Sequence, residues 1–325
     1  MSTAPASIPR IVLQWLKAAR AMYTVTVLLP CCLGAVMAWH GGARFDVPLL
    51  LLILAAMMAA NIGTNFTNDY FDWQSGVDRI DAGRRYKRGA EQLLDDPLAA
   101  SGSVDGYALR FMSPNAILWS AIASFAVTVG VGIALSVGRD WRILPVGVLG
   151  VALGVFYTAP PVRFGYRGLG DLICFVGSGP LPVLGTFFLF SGAVTAGAVI
   201  ASCIAGLLVD AILYIGNVPD AEADRRVGKT TLSTLLGRRA VRVLAPLYYG
   251  AAFALLAASV FARLFPAWTL LALLGIPAAA RVIAITRRHW SDIPRFAPAI
   301  MLTVLTFGLT IVMLMLGFIL SRIAP

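Results

Sequence analysis

Two short stretches of this sequence concentrate acids and amides at a helical spacing. In TNFTNDYFDWQSGVD, residues 64–78, Asn65, Asn68 and Asp72 stand at i, i+3 and i+7, with Asp69 one position round. In NVPDAEAD, residues 217–224, Asn217, Asp220 and Asp224 repeat the spacing. Residues at these intervals share a helix face, so each stretch reads as a polar stripe. Asn61 extends the first stripe by a turn, and Asp210 and Tyr214 extend the second. Clustered carboxylates repel one another, and near a membrane they are costly unless paired or metal-bound. Two facing stripes make an oxygen-rich site suited to Mg2+, an ion that takes one or two carboxylates, keeps waters and binds substrate phosphates. Asp69, Asp72, Asp220 and Asp224 are the candidate ligands. Arg84, Arg85, Lys87, Arg88, Arg225, Arg226 and Lys229 stand nearby in the chain to meet leftover phosphate charge. Such a site beside a hydrophobic bundle suits a substrate with a diphosphate head and a lipid tail.

The elements that must position these residues are membrane helices. The chain has 325 residues, of which 59% are hydrophobic and 13% charged, and a mean hydropathy of +0.82. Soluble domains carry roughly 25% charged residues, so the deficit points to lipid as the solvent. A bilayer core takes about 20 apolar residues per helix. Nine candidate spans lie near 22–40, 48–66, 114–137, 143–158, 171–190, 194–216, 243–262, 266–285 and 297–320. The expected fold is an all-α integral membrane protein in which the whole chain, 1–325, forms one domain. Residues 1–21 read as an interfacial helix with Trp15 at headgroup depth rather than a cleavable signal. The segments 67–113 and 217–242 read as loops that carry the chemistry.

With the N-terminus inside, only Arg44, Arg139, Arg142, Arg263 and Arg322 of the 26 Lys and Arg fall outside. That bias predicts a cytoplasmic N-terminus and cytoplasmic acidic loops, and the expected location is the plasma (inner) membrane. The net charge of +10 therefore marks membrane topology, and no nucleic-acid partner is expected. Eight of the 16 acidic residues lie in the first loop: Asp69, Asp72, Asp78, Asp81, Glu91, Asp95, Asp96 and Asp105. Glu91, Asp95, Asp96 and Asp105 read as solvated linker charge. Asp210 lies inside the sixth span, where an acid marks either function or a packed, hydrogen-bonded structural role. Cys31, Cys32, Cys174 and Cys203 lie in apolar runs without a CxxC pair and read as small buried hydrophobes.

Two phosphate-binding patterns are rejected. VGKTT, 227–231, lacks the glycine that a P-loop needs at 223, which is Ala, and it follows a membrane helix rather than a strand. GYRGLG, 165–170, precedes a hydrophobic span and not a βαβ unit. Intramembrane acids and broken helices also occur in carriers. A carrier more often holds its charges at the bilayer midplane, whereas here most lie at one membrane face.

NDYFDWQSGVD, 68–78, and DAEAD, 220–224, resemble the two aspartate motifs of UbiA-type intramembrane prenyltransferases. YTAPPVRFGYRGLGD, 157–171, and GPLPVLGTFF, 179–188, look like the subgroup that prenylates 1,4-dihydroxy-2-naphthoate in menaquinone synthesis. DRRVGKTTLSTLLG, 224–237, fits the segment after the second motif, and WLKAAR fits the family's N-terminal helix. The chain departs from the family at Ala21, usually Pro, and at Pro161, where many members have Lys.

The resemblance implies nine helices around a central cavity and Mg2+-dependent transfer of a prenyl group from a polyprenyl diphosphate to an aromatic acceptor. It implies that Asn68, Asp69 and Asp72 form the first metal and diphosphate site, with Asp78 its outer member. Asp220 and Asp224 would form the second, and Lys229 would help hold the diphosphate. Within that chemistry Asn65, Asn217, Arg84 and Arg85 are further binding candidates. Tyr157 and Tyr214 could face an allyl cation, and Arg163, Arg167 and Asp171 could orient an acidic acceptor. Benzoate, homogentisate and other specialised acceptors remain open alternatives to the naphthoate.

Overall fold

The computed structural model describes residues 20–75 and 112–324. The expected interfacial helix before Arg20, and the loop from 76 to 111 with Asp78, Arg84 and Arg85, lie outside the described residues.

Apolar chain in lipid must satisfy its own backbone, which leaves helices as the available structure for these runs. In order they are α1 (Val25–His40), α2 (Val47–Ser75), α3 (Pro114–Gly138), α4 (Ile143–Phe156), α5 (Gly170–Ser178), α6 (Pro180–Ser191), α7 (Ala196–Asn217), α8 (Ala221–Arg226), α9 (Leu232–Leu236), α10 (Val241–Phe261), α11 (Ile276–His289), α12 (Ile293–Phe296) and α13 (Pro298–Ile323). A 3-10 segment, Ala267–Gly275, leads into α11. Seven helical stretches are long and apolar enough to cross a membrane, with α5 and α6 counted as one; α1 and α4 are apolar but shorter. No strand occurs among the described residues beyond a single isolated bridge.

Local chemistry sets the ends. Ser113 and Thr195 cap α3 and α7 by accepting the Ala116 and Ala198 N–H groups, each at 3.2 Å. Gly179 and Pro180 divide α5 from α6. A Cβ at Gly179 would sit 2.4 Å from the Ser202 carbonyl oxygen and 2.5 Å from Gly206 Cα. Only glycine lets this break lie against α7, as small residues do at membrane helix crossings.

α7 is the central post. It packs against α5, α6, α10 and α13, and 72% of its most apolar stretch is buried, against 11% for α3. Leu208, Tyr214, Ile215, Tyr249, Phe307 and Leu33 meet around it in the largest core. Large apolar side chains such as Trp119, Val127 and Val137 stand exposed on α3, as lipid-facing residues should.

Two boundaries differ from expectation. α2 continues to Ser75, so Asp69 and Asp72 sit on a helix rather than in a loop starting at 67. The second stripe is not one helix. α7 stops at Asn217, a turn follows, and Asp224 lies on α8. Pro219 explains the break, since it has no N–H and its ring clashes with the carbonyl four residues back. The freed carbonyls are met elsewhere: Arg238 donates to Val218 O at 3.1 Å and Pro219 O at 2.8 Å, and Ser233 donates to Asn217 O at 3.1 Å.

Candidate active site at one end of the bundle

The first stripe comes from the last turns of α2. Asp69 and Asp72 are 0% and 2% exposed. Charges so buried need partners. Asp69 accepts from the Arg20 guanidinium, on a residue held in the left-handed region at φ 53°. Asp72 Oδ1 accepts the Tyr166 hydroxyl at 2.6 Å, and its Oδ2 lies 3.5 Å from Lys229 Nζ. Ser75 Oγ donates to the Asp72 carbonyl at 2.9 Å and lies 2.9 Å from the Tyr166 oxygen.

The second stripe reaches the first through Lys229. Its Nζ lies 3.9 Å from Asp224 Oδ1, so one ammonium group bridges Asp72 and Asp224. The ammonium also lies 5.2 Å from the centre of the Tyr166 ring. Burial works against the Lys229 charge, but Asp72 and Asp224 outweigh it and hold the group above the ordinary lysine range. Burial, reinforced by the Asp72 charge, raises the Tyr166 phenol.

Backbone geometry explains how Lys229 arrives there. α8 ends with Gly228 at φ +73°, and the Lys229 N–H turns back to the Asp224 carbonyl at 2.9 Å. VGK is thus a helix C-terminus, where glycine takes the left-handed turn. The next residue clips onto the loop between α4 and α5. Thr230 N–H donates to Tyr166 O at 3.1 Å, and Gly168 N–H donates to Thr230 O at 2.8 Å. This short parallel bridge fixes Tyr166 and Lys229 together.

The remaining sequence candidates fall in different places. Asn65 donates to Asn61 Oδ1 at 3.1 Å along α2, while the Asn68 Oδ1 atom is buried without a hydrogen-bond partner. Asp220 is buried in the turn after α7, and Asn217 closes that helix. Arg163, at φ 53°, lies 5.7 Å over the Tyr166 ring with its Nε buried and unpartnered. Arg167 is exposed and donates to Pro161 O at 3.1 Å, bracing its own loop. Tyr157 packs its ring against Gly165, while Asp171 and Tyr214 are buried in the helices beyond.

In kind the donors fit a divalent ion: four buried carboxylates and the unpartnered Asn68 oxygen are hard oxygen ligands. In this arrangement, among the described residues, no three His, Cys, Asp or Glu side chains converge closely enough to hold one. Lys229 and Arg20 take the positions of countercharge instead. Spacing alone missed Tyr166, Ser75, Arg20 and Arg238. Each acts across the chain, and nothing in a helical periodicity marks such residues.

This arrangement is that of a polytopic membrane protein with an anion-and-cation site at one end. The profile of the UbiA prenyltransferase family matches residues 110–301, and the chain belongs to that family. It is a membrane-embedded prenyltransferase, which sets the carrier reading aside. A 1,4-dihydroxy-2-naphthoate octaprenyltransferase of Bacillus subtilis is 26% identical over 257 residues, 78% of this chain and 76% of that protein. The apo structure of a UbiA homologue from Aeropyrum pernix K1 matches with a TM-score of 0.66 at 19% identity, over 92% of this chain and 98% of that one. A UbiA homologue from Archaeoglobus fulgidus bound to DMAPP and Mg2+ matches with a TM-score of 0.53 at 14% identity, over 93% and 99% of the two chains.

Proposed function

We propose that the chain acts as one unit that transfers a prenyl group from a polyprenyl diphosphate to 1,4-dihydroxy-2-naphthoate, in menaquinone biosynthesis, at the cytoplasmic face of the plasma (inner) membrane. The observation that carries this reading is the Asp72–Lys229–Asp224 bridge, which joins two aspartate stripes far apart in the chain at one point. The naphthoate rests on the similarity to relatives of that name. Bound DMAPP and Mg2+ in the Archaeoglobus homologue support the donor class and the ion.

Asp69, Asp72, Asp220 and Asp224, with Asn68, would hold magnesium. When bound, the ion neutralises charge that builds on the diphosphate as the allylic C–O bond breaks. Lys229 swings its ammonium from the carboxylates to the diphosphate oxygens, and Tyr166 keeps Asp72 in place. Asn65 and Asn217 would line the same donor head, and Asp78, Arg84 and Arg85, outside the described residues, are further candidates to bind it. Tyr157 presents its ring to the nascent cation and helps keep water from it. Arg163, with its unpartnered Nε, meets the acceptor carboxylate.

The test uses membranes supplied with radiolabelled polyprenyl diphosphate, Mg2+ and a panel of aromatic acceptors. Chelation with EDTA stops product formation and Mg2+ restores it. Asp72→Ala and Asp224→Ala are inactive. Wild-type turnover in either variant sinks the site assignment, and a product mass from a benzoate or homogentisate alone sinks the acceptor.

A further inference from the structure

A second polar group lies deeper in the bundle, and the donor chemistry above makes no use of it. Asp210 sits seven residues before Asn217 on α7, roughly 10 Å down the helix axis. Tyr214 stands one turn above it on the same face. Asp171 comes from the first turn of α5 and Tyr248 from α10, the helices that α7 packs against.

Asp171, Asp210 and Tyr214 are 7%, 6% and 0% exposed. The Tyr248 ring lies 5.9 Å from that of Tyr214. Gly179 packs on Ser202 and Phe175 on Gly206, so α5 and α7 run antiparallel, and Asp171 and Asp210, each four residues further toward the same end, come from one layer of the bundle. Three polar atoms there have no hydrogen-bond partner: Asp171 Oδ1, Asp210 Oδ1 and the Tyr214 hydroxyl.

Buried polar atoms in native proteins are almost always partnered, so three orphans from two helices in one place point to a ligand. Two carboxyls buried in one layer repel when both are charged, which suits the pair to take up a proton. The set offers acceptors, one hydroxyl and aromatic walls. It fits a flat ring carrying hydroxyl groups and repels a carboxylate. Tyr157 stands between this layer and the donor site: its ring packs on Gly165, beside Tyr166, and its hydroxyl approaches Gly170, beside Asp171.

We propose that Asp171, Asp210, Tyr214 and Tyr248 form the subsite for the ring hydroxyls of the aromatic acceptor, and that the Asp171–Asp210 pair takes up a hydroxyl proton as the ring attacks. The proposal rests on the prenyl-transfer reading. The acceptor O–H bond breaks and its proton passes to the carboxyl pair. The electrons left on oxygen move into the ring, a ring carbon bonds to the allylic carbon, and the allylic C–O electrons leave with the diphosphate. The same ring carbon then sheds carbon dioxide, its electrons return to the oxygen, and the proton returns there from the pair. The pair ends as it began. Asp171 thus serves the hydroxyl end of the acceptor rather than its acidic end, which falls to Arg163.

Asp210→Asn, Asp171→Asn and Tyr248→Phe test this in membranes, with Asp72→Ala alongside. At saturating donor, Asp210→Asn lowers kcat about 100-fold, the lower end of what a positioned base contributes. Binding of the polyprenyl diphosphate with Mg2+ stays within about twofold, because no donor group has changed. Binding of 2-naphthoate, which lacks the hydroxyls, is equally weak in wild type and variant, whereas 1,4-dihydroxy-2-naphthoate loses affinity only in the variants. Unchanged kcat and unchanged hydroxynaphthoate binding in Asp210→Asn and Tyr248→Phe, with Asp72→Ala inactive, overturn this inference alone. An active Asp72→Ala overturns the donor site beneath it. Thermal unfolding in detergent identifies any misfolded variant, and Tyr248→Phe, which removes one oxygen, then carries the test.

Discussion

The Tyr166 hydroxyl donates to Asp72 Oδ1 at 2.6 Å, across 94 positions of sequence. It is the shortest route by which the loop after α4 reaches the aspartates of α2. Tyr166→Phe removes the bond and leaves the ring under Lys229. Hydrogen bonds to charged groups contribute about 1.5–3 kcal/mol, so kcat/KM should fall roughly ten- to a hundredfold. The steady-state constants check it, and a Phe variant with wild-type kcat/KM would show that Asp72 is held without Tyr166.

Lys229 should show opposite effects on its two partners. In Lys229→Met the KM for polyprenyl diphosphate rises, because a phosphate-facing cation is gone. Apparent Mg2+ affinity rises as well, because a competing cation no longer bridges Asp72 and Asp224. Mg2+ binding measured without donor, where Lys229 rests on the carboxylates, separates the two, and weaker Mg2+ binding in the variant contradicts the bridge as described.

Arg238 holds the α7–α8 break together. Arg238→Ala leaves the Val218 and Pro219 carbonyls without their guanidinium. Each unsatisfied buried group costs about 1–3 kcal/mol, and the loss falls beside Asp220. The expected result is a lower unfolding midpoint in detergent together with reduced turnover. Full activity at an unchanged midpoint argues against this role.

Packing at the α5–α6 break is equally exposed to test. Gly179→Ala drives a methyl into the Ser202 carbonyl and Gly206. Overpacking of this kind costs about 1–3 kcal/mol. The folded yield and unfolding midpoint in detergent should both fall, whereas Gly130→Ala on α3, where a Cβ meets nothing, leaves them unchanged.

Much of this was readable before any coordinates. Each of the nine apolar runs became helix, because lipid leaves such runs few alternatives. The i, i+3, i+7 spacing placed Asn68 and Asp72 on one face of α2 correctly. It failed at Asp224 because Pro219 breaks the helix, a local signal that helical periodicity overrode. Hydropathy ended α2 too early, because the stretch after Phe66 is polar enough to resemble a loop while still facing protein. Tyr166 and Arg238 were not legible at all. Their roles depend on a loop from one half of the chain meeting a turn from the other.

The bridge between Tyr166, Gly168 and Thr230 has a kinetic consequence. The two strips of chain it joins cannot be ordered independently, so an occupant that firms up Lys229 also firms up Arg163 and the backbone around Tyr157. If the chain acts as proposed, donor and acceptor would then bind with positive linkage, each strengthening the other by the same factor.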